Sequence, residues 1–192
     1  MAPPIPTNAS SAEPRPLRAD ARRNRARLLG AARKAFAESG REVQMDEVAD
    51  LAGVGVGTLY RHFPTKEDLV LELVRQAVRG YLESARQALT RDDPWEAIEW
   101  LVRQGAASMA RSRGLRDAMS VIQFGGENPW QGDEVRSHSE AVLERARAAG
   151  AIAADVTADD WQALMCGLSA AIANGADPER QADFMLAGVR AR

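Results

Sequence analysis

The sequence predicts an all-α protein of about nine helices. Three observations carry the prediction. Alanine and leucine dominate a 192-residue chain in which aromatic residues make up only 5%, and β-branched runs are short, a composition that favours helix. Apolar residues recur at spacings of three and four in one window after another, the period of a helix that buries one face. Glycine, proline and capping residues punctuate those windows, and no alternating strand pattern competes. With 45% hydrophobic residues the chain has the material for a real core.

Residues 1–17 are rich in Pro, Ser and Ala and read as a disordered arm. The first helix is expected over residues 20–39, with Asp20 placed to cap it and Ala26, Leu28, Leu29, Ala32, Ala35 and Phe36 on its apolar face. Ser39-Gly40 ends it. Arg18, Arg22, Arg23, Arg25 and Arg27 crowd its entry, and some of them must face away from the core. A short second helix, Met45–Ala52, follows, with Val48, Ala49 and Leu51 as its apolar contacts. Gly53 then stands where a left-handed C-cap is cheap. Val54 packs inward, and residues 55–63 form a third helix with two glycines, Gly55 and Gly57, near its start. Each glycine costs about 1 kcal/mol of helix propensity relative to alanine. Their small size permits close approach to another backbone. Two short helices across a tight glycine turn, with a further helix in front, are the layout of a helix-turn-helix, which presses its second helix into a DNA major groove.

Pro64 stops the third helix. Thr65-Lys66-Glu67-Asp68 matches the N-terminal capping pattern of a fourth. Val70, Leu73, Val74, Ala77, Val78, Tyr81, Ala85 and Leu89 continue its stripe to residue 89. Such a helix is roughly 36 Å long at 1.5 Å per residue, long enough to connect a head to a body. Arg91-Asp92-Asp93-Pro94 breaks the chain, and Asp93 with Pro94 starts a fifth helix over 94–112 carrying Ile98, Leu101, Val102 and Met109. Further helices are expected over 114–124, 130–149 (ending at Gly150), 159–174 and 178–190. The organisation is therefore an arm (1–17), a three-helix helix-turn-helix domain (18–65), a connecting helix (66–89) and a C-terminal helical ligand-binding and dimerisation domain (90–192).

Charge follows the same division. The formal net charge is −2. Residues 1–66 carry 11 Lys and Arg against 7 Asp and Glu, and the rest of the chain carries 14 against 20. A basic front and an acidic back suit a head that meets DNA and a body that does not.

At this point the residues form a recognisable pattern. Gly53-Val54-x-x-Gly57-x-Leu59-Tyr60-x-His62-Phe63-x-x-Lys66-x-x-Leu69 resembles the N-terminal signature of TetR-family transcriptional regulators, and Ala31, Ala35, Phe36 and Gly40 look like that family's first helix. The resemblance covers roughly residues 20–75. Beyond residue 90 it is one of architecture, with Asp155–Asp160 and the apolar helix behind it similar to the C-terminal domains of the SbtR-like subfamily. It implies a homodimeric regulator on a palindromic operator, with double-stranded DNA facing Gln44, Val56, Gly57, Thr58, Tyr60, Arg61, His62 and Lys66. Chemistry agrees for several of these. Thr58 offers a hydroxyl and a methyl, Tyr60 and His62 can donate to phosphate oxygens, and Lys66 can meet a phosphate as a point charge. Val48, Ala49, Gly53, Val54, Leu59 and Phe63 are expected to hold the motif together. Two departures stand out: Gly55 replaces a residue that is often Ser or another polar type, and Gln44 replaces Thr or Ser.

For the body, family analogy implies a small-molecule effector whose cavity Trp95, Trp130 and five further large apolar residues could line; those five, Trp100, Met109, Met119, Phe124 and Met165, are the expected pocket residues, Trp100 first because it points away from the main apolar face. Arg103, Gln104 and Gln123 are candidate polar contacts. Gly167, Ala170, Ala171, Ala187 and Gly188 supply small faces on the last two helices (about 159–190), where the resemblance places the subunit interface. Cys166 is expected to be a buried small hydrophobe. Two histidines and one cysteine leave little for a metal site, and no cofactor is expected. No apolar run approaches a membrane span and no export signal is seen, so the expected location is the cytoplasm. An enzyme or hydrophobic-ligand carrier with a vestigial DNA-binding head is the alternative, but no catalytic constellation is evident. A structural DNA-coating protein with little operator preference is a third.

Overall fold

The computed structural model describes residues 15–112 and 129–191, with backbone alone at 15–18 and 41. Eight α-helices run through them: α1 Arg15–Ser39, α2 Met45–Ala52, α3 Val56–His62, α4 Lys66–Leu89, α5 Pro94–Arg111, α6 Asp133–Ala148, α7 Ala158–Ala173 and α8 Pro178–Val189. Short 3-10 turns at Gly40–Glu42 and Pro129–Gln131 join them. Among the described residues the only β pairing is an isolated bridge between Ile152 and Arg190. The helix expected over 114–124 lies outside the described residues.

Local chemistry sets most helix ends. Thr65 accepts from Asp68 N–H at 3.1 Å while Asp68 accepts from Thr65 N–H at 3.0 Å, so two orphan donors at the start of α4 are satisfied together. Thr157 and Asp160 repeat this device at α7. Asp93 accepts from Trp95 N–H at 2.7 Å ahead of α5, with Pro94 in the first turn. Several ends differ from expectation, among them the helix expected over 130–149, which starts at Asp133 behind the 3-10 turn Pro129–Gln131. The first helix begins at Arg15, five residues early, taking in positions assigned to the arm. Asp20 is then internal and pairs with Arg23 instead of capping. Proline at 16 does not prevent this, because first-turn N–H groups have no intrahelical partner. Gly55 is the N-cap of α3 in extended conformation, so only Gly57 sits in the helix and its propensity cost is halved.

The core forms two clusters that meet along α4. In the head, Leu28, Leu29, Phe36, Val43, Val48, Leu59 and Phe63 close around Leu69, Val70, Leu73 and Val74 of α4. In the body, Val78, Tyr81, Leu82, Ala85 and Ala88 of the same helix pack with α5, α6, α7 and α8. Trp130 touches both clusters. Three expected core positions are exposed instead: Ala26, Leu51 and Leu89. Each lies off its helix's buried face. In α2 that face is Met45, Val48, Ala49 and Ala52, and Leu51 falls on the other side at 57% exposure. Cys166 is also exposed, a correction to its expected burial: α7 buries Trp161, Met165, Leu168 and Ile172, and Cys166 lies away from that line.

A candidate nucleic-acid interface

The turn between α2 and α3 is built by backbone bonds. Gly53 adopts φ 62°, ψ 41°, the left-handed conformation. Its N–H reaches Asp50 O at 3.0 Å, and Val54 N–H reaches Ala49 O at 3.1 Å. This pair of bonds is a Schellman closure, and Val54 completes it by packing against the head core. An L residue at position 53 would be strained by that φ. Ahead of α2, Gln44 N–H donates to Glu47 Oε2 at 3.1 Å, while the Gln44 side-chain amide donates to Glu42 O at 3.0 Å. Gln44 is thus partly spent on its own turn, yet remains exposed.

The third helix then divides by face. Leu59 is fully buried and Phe63, at its C-cap, is nearly so. Val56, Gly57, Tyr60 and Arg61 are exposed, and Thr58 and His62 are half-buried. Tyr60 keeps 44% of its surface, so it is not a ring packed against α1. A side chain added at Gly55 or Gly57 would meet nothing within 4 Å, which leaves this edge open to an incoming backbone. Lys66 is half-buried with its ammonium 5.9 Å from the Phe36 ring centroid.

The arginines of α1 sort differently from a simple basic face. Arg25 stands 5.2 Å from the Phe63 ring centroid and pairs with Glu72 at 3.1 Å. Arg79 joins the same carboxylate at 2.8 Å. Partial burial pushes the Glu72 carboxyl up, but hydrogen bonds from Arg25 and Arg79 and their charges outweigh it and hold it below the usual carboxylate range. This triad ties α1 and the end of α3 to the connecting helix. In the sequence Arg25 is only one of a crowd of arginines. Arg23 pairs with Asp20 and Arg27 with Asn24, while Arg22 is exposed.

The expected pocket residues are not gathered into one visible site. Met119 and Phe124 lie outside the described residues. Met165 is buried against α5, where its Cε would sit 2.8 Å from a Cβ placed on Gly105. Met109 and Trp100 are partly buried at the margin of the body core. An open groove between α5 and α8, lined by Trp95, Glu99, Arg103, Asp183 and Arg190, takes in Trp95 alone of the large apolar candidates. Arg103, a candidate polar contact, bonds Glu99 and Asp183 there.

The body core also holds a buried relay. Trp161 Nε1–H donates to Tyr81 Oη at 3.2 Å, and Tyr81 and Ser139 hydroxyls are 2.7 Å apart. Ser139 donates to Val135 O at 2.8 Å, so the shared proton belongs to Tyr81 and every hydrogen has an acceptor. Burial pushes the Tyr81 phenol up, and its bonds to Ser139 and Trp161 pull the other way.

Residues 28–73 match the model for "Bacterial regulatory proteins, tetR family", and residues 93–191 match "Transcriptional regulator SbtR-like, C-terminal domain". A TetR transcription regulatory protein from Mycobacterium vanbaalenii is 36% identical with a TM-score of 0.68, over 92% of this chain and 100% of that one. The TetR transcriptional regulator SCO0520 from Streptomyces coelicolor is 32% identical with a TM-score of 0.66, over 87% and 98%. The transcriptional repressor KstR of Mycobacterium tuberculosis is 29% identical over 86% of this chain and 80% of its own.

Proposed function

The chain belongs to the TetR family of DNA-binding transcriptional regulators, and from that premise we propose that it is a ligand-responsive repressor acting as a homodimer on a palindromic operator. The observation that carries the reading is the split face of α3: Leu59 and Phe63 anchor it, and Val56, Gly57, Tyr60 and Arg61 stand out into solvent. A buried anchor under an exposed face holds a reading helix rigidly against a groove. Tyr60 and Lys66 fix register on phosphates, and Thr58 and Arg61 are the members of this face able to meet base edges. Among the described residues no helix is long and apolar enough to cross a membrane.

The subunit interface in this reading is the outer face of α7 and α8. Ala163, Leu164, Cys166, Gly167 and Ala170 are exposed on α7, and Phe184, Ala187 and Gly188 on α8. Phe184 keeps 58% of its surface, a large apolar side chain that a second copy would cover. Two-fold pairing places the two reading helices about 34–36 Å apart, one helical turn of DNA. The effector acts by favouring a state with another spacing, which requires that it bind that state more tightly.

Gel-shift titration at several salt concentrations tests the DNA face. Tyr60→Ala weakens binding with little change in salt slope, and Lys66→Ala lowers the slope by about one. Wild-type affinity in both variants would remove these contacts from the reading.

A further inference from the structure

Among the described residues, two buried side-chain polar atoms lack a hydrogen-bond partner: Arg91 Nε and Trp100 Nε1. They belong to touching groups. The Arg91 guanidinium lies over the Trp100 indole, 4.1 Å from the ring centroid, where α4 turns into α5. Both atoms are donors and neither can accept, so they cannot satisfy each other. A buried N–H without an acceptor is costly, and two on stacked groups can be met by one acceptor group with two oxygens.

Charge sharpens the requirement. Arg145 reaches the same corner from α6, donating to Leu89 O at 3.2 Å, to Asp92 O at 2.8 Å and to Arg91 O. Those bonds place three of its five donors on neutral carbonyls, which carry no charge to balance its own. Neither Arg91 nor Arg145 makes an ion pair among the described residues. The nearby carboxylates, Asp92 and Asp93, are exposed, and Asp93 is held by the N–H groups of Trp95 and Glu96. Arg91 is only partly buried, so its charge still reaches solvent, but its Nε does not. A carboxylate meets both, with two oxygens for two donors and a negative charge for two guanidiniums.

We propose that the Arg91–Trp100 corner is a carboxylate-binding site. Trp100 packs against the body core, so the ligand's remainder lies along apolar side chains. The site deepens the effector reading above, as it names the chemistry by which an effector would be held. Because Trp100 follows the turn that ends α4, occupancy bears directly on the helix that carries the head.

Two-dimensional NMR of the 15N-labelled full chain tests this through the tryptophan indole N–H signals, with Trp100→Phe assigning its own. Sodium benzoate and sodium acetate are titrated at constant ionic strength against sodium sulfate. The expected result is a saturable shift of the Trp100 indole and Arg91 Nε–H signals with the carboxylates, and a still Trp161 indole. Arg91→Lys keeps the charge but removes the orphaned donor, and should weaken benzoate about tenfold or more. If that variant loses the folded Trp161 signal, calorimetry on Trp100→Phe replaces it, with the same loss expected. No shift with either carboxylate, an equal shift with sulfate, or full binding in both variants would overturn the site. Benzoate that binds there without changing operator affinity in a gel shift upholds the site and removes only its effector role.

Discussion

The head and the body share one helix and are built on opposite plans. The head's buried set is apolar throughout, from Leu28 to Val74, and its charges stand at the rim, where Arg25 and Arg79 grip Glu72 beside Phe63. The body admits polar atoms to its interior: the Trp161–Tyr81–Ser139 relay is complete, while Arg91 and Trp100 each leave a donor unmet. A dry core is specified by volume and holds one shape. A polar interior is specified by bond direction, which fixes register when satisfied and leaves binding capacity where it is not. The difference suits a rigid reader mounted on a responsive body.

Three experiments break or sharpen that contrast. The largest effect belongs to Phe36→Ala, which empties the centre of the head. It should cost about 3–5 kcal/mol in urea denaturation and abolish DNA binding. A loss below about 1 kcal/mol would mean the head is loosely packed and the contrast is false. Next comes Tyr81→Phe, which adds no cavity but strips Trp161 of its acceptor. The expected cost is about 1–3 kcal/mol, far more than a surface hydroxyl, and a Trp161→Phe change in that background should add little beyond lost volume. Equal stability of Tyr81→Phe and wild type would show that the relay carries no weight.

The smallest effect is at the rim. Glu72→Gln should cost about 0.2–1 kcal/mol at neutral pH, because Arg25 and Arg79 are substantially solvated. Its pH dependence is more telling than its size. The folded-state pKa of Glu72 is lowered, so its contribution is present above the unfolded carboxylate pKa and disappears as pH falls through the folded value. The gap between wild type and variant therefore narrows in acid. A gap that widened in acid would rule out the ion-pair triad.

Legibility in the sequence tracks the reach of each interaction. The Gly53 closure, the Thr65–Asp68 box and the Asp93–Pro94 start were readable because each spans a few residues. Leu59 and Phe63 as anchors, and Tyr60 as an exposed side chain, followed from helical spacing and the family pattern. Leu51, Leu89 and Cys166 are apolar yet lie off the buried lines of their helices, so apolar character without angular position misplaces them. Arg91 carried no signal beyond its place in a break.

Helix type, the order of helices, the glycine turn and the family were all written in short-range patterns, since periodicity and capping chemistry act within one or two turns. Folding decided which partners meet across distance. Tyr81 finds Ser139 across 58 positions and Trp161 across 80, and Glu72 on α4 finds Arg25 on α1. No local pattern encodes such pairs, because hydrogen bonds and ion pairs depend on where helix axes cross. That crossing is set by the packing of whole faces, and it is what turns a readable DNA-binding head into part of a controllable molecule.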